Sequence, residues 1–248
     1  MKTKLLKIGN NRGILVDKNT DNIIIMIGGF ERTATTEKKF KKLADNVNIS
    51  SFRFDYSGIG LSDGDFSNIT ISSMTVELKN VLNELSKDYK NFIVFAHSLS
   101  ACVIHNFDFE KNILISPALN QKELLRYYFV LSDPKLKDVK GKIDWSNYRN
   151  YLNEDDFLKN CELKNKMTKN NYIFPSYFLE NKNIDYSKLI KRQDNILHIH
   201  GDKDDKVPIE SLNIKFNNSI IVKNGDHDLE RPDMMIQWEQ KAIEFIEN

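Results

Sequence analysis

The chain has 248 residues, and its 36 Lys and Arg against 35 Asp and Glu give a formal net charge of +1. This length suits one large domain or two small ones, since single hydrophobic cores stop growing at roughly 250–300 residues. The balanced charge removes the main electrostatic reason to expect nucleic acid or an anionic membrane as a partner. The N-terminal apolar stretch is too short for a secretory signal, no apolar run is long enough for a membrane span, and no Cys or His cluster has metal-ligand spacing. We therefore expect a cytoplasmic protein without a bound metal.

Short apolar runs separated by turn residues predict the elements of the first part of the chain. Two runs on either side of residues 10–13 predict a β-hairpin, and the β-branched run at residues 23–27 predicts a strand buried on both faces. Residues 49–55 predict a strand that ends in a glycine-containing loop. Residues 75–89 predict an amphipathic helix, because their apolar side chains fall on one side.

Strand and helix signals continue to alternate through the rest of the chain. Strands are predicted at residues 92–96, 112–116, 195–200 and 219–222, with a short helical stretch from Leu99 and a closing helix at residues 234–246. This alternation predicts βαβ units. The fold class is therefore α/β, with a mostly parallel central sheet and helices on both faces.

One interval, from Pro117 to Asn195, has no strand signal and is charged and helical in pattern. A structureless loop of this length is uncommon in a compact domain, so we expect an inserted, largely helical segment. Its aromatic side chains either line an acyl or aryl pocket or form a small core of the segment itself. They are Tyr127, Tyr128, Phe129, Trp145, Tyr148, Tyr151, Phe157, Tyr172, Phe174, Tyr177 and Phe178.

The predicted strand at residues 92–96 runs directly into His97 and Ser98 and then into a helical stretch. This order is typical of a nucleophile elbow, a tight turn that presents a serine hydroxyl above a sheet. Such a turn needs small residues two positions before and after the serine, and Ala96 and Ser100 are small, although glycine is usual at both. An ordinary turn with a helix N-cap is the alternative interpretation.

An acidic cluster follows the predicted strand at residues 195–200 and contains Asp202, Asp204 and Asp205. A carboxylate at this place can hold an imidazole in one tautomer and stabilise its protonated form. A solvated acidic turn before a helix is the alternative. The residues alone do not decide which of the three aspartates has this role.

His227 follows the last predicted strand and completes the order Ser, Asp, His that acyl-transfer catalysis requires on a fold of this kind. The other histidines are poorer candidates for the base. His97 neighbours Ser98 but points away from it in an elbow, His105 lies in the following helical stretch, and His198 and His200 lie within a strand as packing residues.

Gly28, Gly29 and Phe30 follow the first buried strand. Glycine at a strand end lets a backbone N–H group approach a substrate oxygen closely, as an oxyanion hole requires, and the amides of Phe30 and Leu99 are the expected donors. A plain tight turn is the alternative. The three-glycine spacing of a dinucleotide-binding loop is absent.

Taken in order, these segments resemble the α/β-hydrolase superfamily. The resemblance includes Arg53, Asp55, Gly58, Gly60 and Ser62, which are similar to the Arg-x-Asp-x-x-Gly-x-Gly-x-Ser loop of that family and imply a structural brace at the sheet edge. The segment that follows this loop is similar to the cinnamoyl/feruloyl esterase and serine-aminopeptidase-like branch.

The resemblance implies a catalytic domain at residues 1–120 and 191–248 and an inserted helical lid at residues 121–190. The family spacing Gly-x-x-Asp-x-x-Val-Pro selects Asp204 as the partner of His227, with Ser98 as the nucleophile. It implies a serine esterase that cleaves a small-molecule ester through an acyl-enzyme and needs no cofactor. A thioesterase, a peptidase, an acyltransferase and a catalytically silent binding protein are the alternatives.

Overall fold

A computed structural model describes residues 1–163, 166–168 and 171–248 of the chain. The strands among these residues are β1 (Lys2–Ile8), β2 (Asn11–Asp17), β3 (Asn22–Ile27), β4 (Ser50–Asp55), β5 (Asn91–His97), β6 (Lys111–Ile115), β7 (Lys166–Met167), β8 (Tyr172–Ile173), β9 (Ile196–Gly201) and β10 (Asn218–Val222). The α-helices are α1 (Lys38–Asn46), α2 (Ile71–Leu85), α3 (Gln121–Ser132), α4 (Glu154–Cys161), α5 (Pro175–Asn181) and α6 (Pro232–Glu247). Short 3₁₀ helices occupy Phe66–Asn68, Ser98–Asn106, Pro134–Leu136, Lys140–Lys142, Tyr148–Asn150, Tyr186–Leu189 and Ile209–Ser211.

The central sheet has eight strands in the order β1-β2-β4-β3-β5-β6-β9-β10. All neighbours from β4 to β10 in this order are parallel, whereas β2 is antiparallel to both β1 and β4. The mostly parallel sheet that the sequence predicts is therefore confirmed. Because parallel strands place their carboxyl ends at one edge, the loops that follow β3, β5, β9 and β10 meet there.

Buried strand β3 divides the core into two layers. Ile23, Ile25 and Ile27 pack on the face that α2 covers. Ile24 and Met26 pack on the opposite face, against apolar side chains of α1 and α6. The alternation explains why an unbroken apolar run was the signal for this strand, and it places helices on both faces of the sheet, as predicted.

The first hairpin turn and helix α2 lie at positions that differ from those predicted. The turn of the first hairpin is Gly9 and Asn10, two residues that precede β2, because Gly9 adopts a left-handed conformation with φ of 59°. Helix α2 begins four residues earlier than predicted, since Thr70 and Ser73 form a capping box that satisfies its first amides, and it ends at Leu85.

The interval from Pro117 to Asn195 contains α3, α4, α5 and several 3₁₀ turns, but also one small hairpin. The expectation that it holds no strand is wrong, because β7 pairs with β8 through Lys166 opposite Ile173 and Met167 opposite Tyr172. Strands of two residues are too short to show an apolar alternation, so the sequence carries no signal for them. Among the described residues, no helix combines the length and apolarity needed to cross a membrane.

Candidate active site

The turn after β5 presents Ser98 in a left-handed backbone conformation with φ of 54°, which is costly for a residue other than glycine. The loop after β3 packs closely against this turn, since a Cβ atom added to Gly29 would lie 2.8 Å from the Cβ atom of Ser98. Glycine is therefore required at position 29. Ala96, two positions before the serine, is fully buried and leaves the turn intact.

Ser100 stands where glycine is usual in the elbow, and its side chain has a specific contact. The buried Ser100 hydroxyl donates a hydrogen bond to the carbonyl oxygen of Gly28. This bond ties the turn at Ser98 to the loop after β3. The additional side chain thus joins the two segments on which the predicted oxyanion donors lie.

The structure brings Ser98, His227 and Asp204 together, although they are far apart in the chain. The distance from Ser98 Oγ to His227 Nε2 is 3.0 Å, and the distance from His227 Nδ1 to Asp204 Oδ2 is 2.8 Å. Because a carboxylate only accepts hydrogen bonds, Nδ1 carries the proton of the neutral imidazole. Nε2 is then free to accept the hydrogen bond that the Ser98 hydroxyl donates.

The Asp204 side chain is fully buried, and both of its oxygens are bonded. Oδ1 accepts hydrogen bonds from the amides of Lys206 at 3.0 Å and Val207 at 2.8 Å. Burial by itself raises the pKa of this carboxyl, but hydrogen bonds from His200, His227 and the Val207 amide outweigh it and hold the pKa below its ordinary value. Asp202 and Asp205 are exposed instead.

His200 has a contact with Asp204 that the sequence does not reveal. Its Nε2 lies 2.8 Å from the carbonyl oxygen of Val207 and 3.3 Å from Asp204 Oδ2. Since a carbonyl only accepts, Nε2 is the protonated nitrogen, and Nδ1 accepts a hydrogen bond from His198 Nε2 at 3.1 Å. The expectation that His200 merely packs in its strand is therefore incomplete.

His97 points away from the cavity, as expected for the residue before the serine, but it contacts the loop that carries His227. The side chain of His97 is fully buried, and Nε2 donates a hydrogen bond to the His227 carbonyl oxygen at 3.1 Å. Burial and the nearby charge of Lys39 lower the pKa of His97 well below its ordinary value, so the imidazole is neutral. His97 therefore holds the backbone of His227 in place.

Phe30 and Leu99 line the same cavity as Ser98. Neither amide has a backbone or side-chain acceptor within the part of the chain that the structure describes. Leu99 belongs to the first turn of the 3₁₀ helix Ser98–Asn106, where amides lack partners within the helix. Both amides are thus available to a ligand oxygen beside Ser98.

The loop after β4 has the bracing contacts that its motif implies. Asp55 is buried and accepts hydrogen bonds from the amide of Thr35 at 3.1 Å, the hydroxyl of Thr35 at 2.5 Å and the amide of Leu61 at 3.0 Å. A Cβ atom at Gly60 would lie 2.1 Å from Asp55 Oδ2, which explains the glycine. The hydrogen bonds to Thr35 connect the loop after β4 to the segment between β3 and α1.

The cavity above Ser98 has a volume of about 590 Å³, and His227 lies in its wall. Most of the opposite wall comes from the interval after Pro117, whose aromatic side chains in the lining are Tyr128, Phe129, Phe157, Tyr177 and Phe178. Others of the predicted aromatic set form a separate cluster of Tyr127, Trp145 and Tyr148. The described residues hold no group of three or more His, Cys, Asp or Glu side chains arranged for a metal ion.

The sequence matches no protein-family model and no curated protein. Solved structures are nevertheless similar along nearly the whole chain. Est1E from Butyrivibrio proteoclasticus, solved with ferulic acid bound, is 15% identical, has a TM-score of 0.73, and matches over 98% of this chain and 97% of its own. Alpha/beta hydrolase domain-containing protein 10 from mouse is 16% identical, with a TM-score of 0.62 over 99% of this chain and 98% of its own.

A monoacylglycerol lipase from Paleococcus ferrophilus is 17% identical, with a TM-score of 0.59 over 99% of this chain and 98% of its own. These likenesses agree with the resemblance that the sequence motifs indicate. The chain has the α/β-hydrolase fold.

Proposed function

We propose that the protein is a serine hydrolase that cleaves carboxylic esters through an acyl-enzyme on Ser98. The observation that carries this proposal is the continuous hydrogen-bonded chain from Ser98 through His227 to Asp204, at 3.0 Å and 2.8 Å. A serine needs an adjacent base to become a nucleophile, and the base needs a partner that fixes its tautomer. Both requirements are met by this chain of hydrogen bonds.

In the acylation step, Ser98 Oγ attacks the ester carbonyl carbon while His227 Nε2 accepts the hydroxyl proton. The amides of Phe30 and Leu99 donate hydrogen bonds to the developing oxyanion, and each such donor is typically worth about 2.7–4 kcal/mol. Collapse of the tetrahedral intermediate breaks the bond to the alcohol oxygen. His227 then gives its proton to the leaving alkoxide.

In the deacylation step, a water molecule replaces the alcohol. His227 removes a proton from the water as the oxygen attacks the acyl carbon, and the same two amides receive the oxyanion again. The bond to Ser98 Oγ breaks and His227 returns the proton to it. Asp204 stays ionised throughout and stabilises the protonated imidazole in both steps.

Residues 121–190 act as a lid on the catalytic domain formed by residues 1–120 and 191–248. Contacts beside Phe30 support this division of the chain into a lid and a catalytic domain. Glu31 Oε1 accepts hydrogen bonds from the Thr168 hydroxyl and from Asn171 Nδ2, the latter at 2.9 Å. The hairpin of the lid is thereby attached next to Phe30, over the cavity.

The substrate class is a small-molecule ester with an acyl or aryl group that fits an aromatic pocket. A volume of about 590 Å³ is within the usual range of ligand cavities, and the ring-rich wall favours flat or apolar groups. The similar Est1E structure contains ferulic acid, an aromatic acid. We therefore place aryl esters first among the substrates to assay.

A panel of 4-nitrophenyl esters of increasing acyl length, together with aryl esters, tests this function. We expect turnover by the wild type and its loss in Ser98→Ala, because the attacking oxygen is removed. Ser86→Ala, at an exposed position after α2, should retain wild-type rates and serves as the matched control. Equal turnover by the Ser98→Ala variant would overturn the proposal.

A further inference from the structure

Lys166 is one of the residues that line the cavity above Ser98. It lies on β7, is half-buried, and places Nζ 3.7 Å from the centroid of the Phe178 ring. A cation over an aromatic face is attracted to the ring, but this contact does not neutralise the charge. The cavity therefore contains a cation partly withdrawn from water.

The other charged groups in the lining already have partners. Arg32 binds both carboxylate oxygens of Asp228 at 2.6 and 2.7 Å, and Lys206 Nζ lies 3.6 Å from the same carboxylate. Glu31 accepts hydrogen bonds from Thr168 and Asn171. Arg32 and Lys206 are therefore paired with a carboxylate, and the Glu31 carboxylate is hydrogen-bonded by neutral groups.

Lys166 differs from these groups, since no carboxylate among the described residues lies within 4.0 Å of its ammonium. Burial raises the pKa of the nearby Cys161 thiol, which is therefore neutral. Burial likewise lowers the pKa of Lys166, as expected for an ammonium that lacks a counter-ion.

We propose that Lys166 binds a carboxylate carried by the substrate, so that the preferred substrates are esters with a free carboxylate at the end away from the scissile bond. This inference rests on the proposed ester hydrolysis and specifies its substrate class. One ammonium balances one negative charge, and the aromatic wall accommodates the apolar chain between the two ends of such a half-ester. A charge-assisted hydrogen bond in this setting also fixes the orientation of the substrate.

Matched pairs of esters test the proposal. The 4-nitrophenyl half-esters of succinate, glutarate and adipate are compared with neutral 4-nitrophenyl esters of the same acyl length. We expect wild-type kcat/KM to be higher for the half-ester of the best-fitting length. Lys166→Met should lower kcat/KM for that half-ester about 10- to 100-fold, the usual range for loss of a charge-assisted bond, with the neutral esters changing less than about threefold.

Two further variants distinguish an effect of positive charge in the cavity from an effect of the overall charge of the protein. Lys166→Arg should retain the preference for the half-ester, because it keeps a cation at the same place. Lys159→Met removes a positive charge from the exposed side of α4 and should leave the preference unchanged. A wild type without the preference, or an equal loss for neutral and anionic esters in Lys166→Met, would overturn the proposal.

A binding measurement separates this inference from the function on which it rests. Calorimetric titration of Ser98→Ala with the intact half-ester should show binding that Lys166→Met in the same background weakens by a similar factor. If esters are hydrolysed through Ser98 without any role of the carboxylate, only the Lys166 inference fails. If no ester is hydrolysed and yet the half-ester binds through Lys166, the proposed chemistry fails and the carboxylate site stands.

Discussion

Replacing His227 with Ala should lower the kcat of the proposed ester hydrolysis on the order of 10⁶-fold, as loss of the base does in subtilisin. The reason is geometric: in the described residues, the imidazole is the only base within hydrogen-bond distance of Ser98 Oγ, at 3.0 Å. The amides of Phe30 and Leu99 remain, so a slow residual rate above that of water is also expected. Steady-state kinetics with the best nitrophenyl ester measures the effect.

His105→Ala is the matched control for this substitution. His105 lies in the 3₁₀ helix Ser98–Asn106, and its Nδ1 contacts the Cys102 carbonyl oxygen at 2.7 Å, away from the cavity. We expect this variant to keep most of the wild-type kcat. Activity within tenfold of wild type in a folded His227→Ala variant would show that another group is the base.

Asp204→Asn should lower kcat about 10⁴-fold with little change in the fold, because an amide at this position favours the wrong tautomer of the base. In the wild type, Asp204 Oδ2 accepts a hydrogen bond from the protonated Nδ1 of His227 at 2.8 Å, which leaves Nε2 free for Ser98. An Asn side chain that presents its NH₂ group to Nδ1 shifts the proton to Nε2. Kinetics of Asp202→Asn and Asp205→Asn, both at exposed positions, provide the controls and should stay near wild type.

The Asp204→Asn substitution should also change how the free energy of unfolding depends on pH. Because the folded state holds the pKa of Asp204 below its ordinary value, the carboxylate stabilises the protein at pH values above about 4. This contribution is lost as the pH falls through the lowered pKa. The difference in free energy of unfolding between wild type and variant should therefore shrink below about pH 4, and urea titrations at several pH values measure it. A difference that stays constant down to pH 2 would contradict the assignment.

Local patterns in the sequence are sufficient to predict the sheet strands and the elbow. The run at residues 23–27 and the run before Ser98 are apolar on both faces, and that signal needs no knowledge of distant residues. The order of Ser98, Asp204 and His227 relative to predicted strand ends is also local information. Since parallel strands share an edge, their order along the chain implied that the three side chains meet.

Contacts between distant segments could not be predicted in the same way. The hydrogen bond from Ser100 to the Gly28 carbonyl joins residues 72 positions apart, and the one from His97 to the His227 carbonyl joins residues 130 positions apart. Neither contact produces a periodic pattern in the sequence. The role of His200 depends on the turn that brings Asp204 back towards its strand. The position of Lys166 depends on a hairpin whose strands have only two residues each.

The proposed function depends most on the identity of the nucleophile. A fluorophosphonate probe reacts covalently with an activated serine, and peptide mapping by mass spectrometry then identifies the labelled residue. We predict a single modification on Ser98 in the wild type, no labelling of Ser98→Ala, and greatly slowed labelling of His227→Ala. Labelling at another residue, or undiminished labelling of Ser98→Ala, would contradict the assignment of Ser98 as the nucleophile.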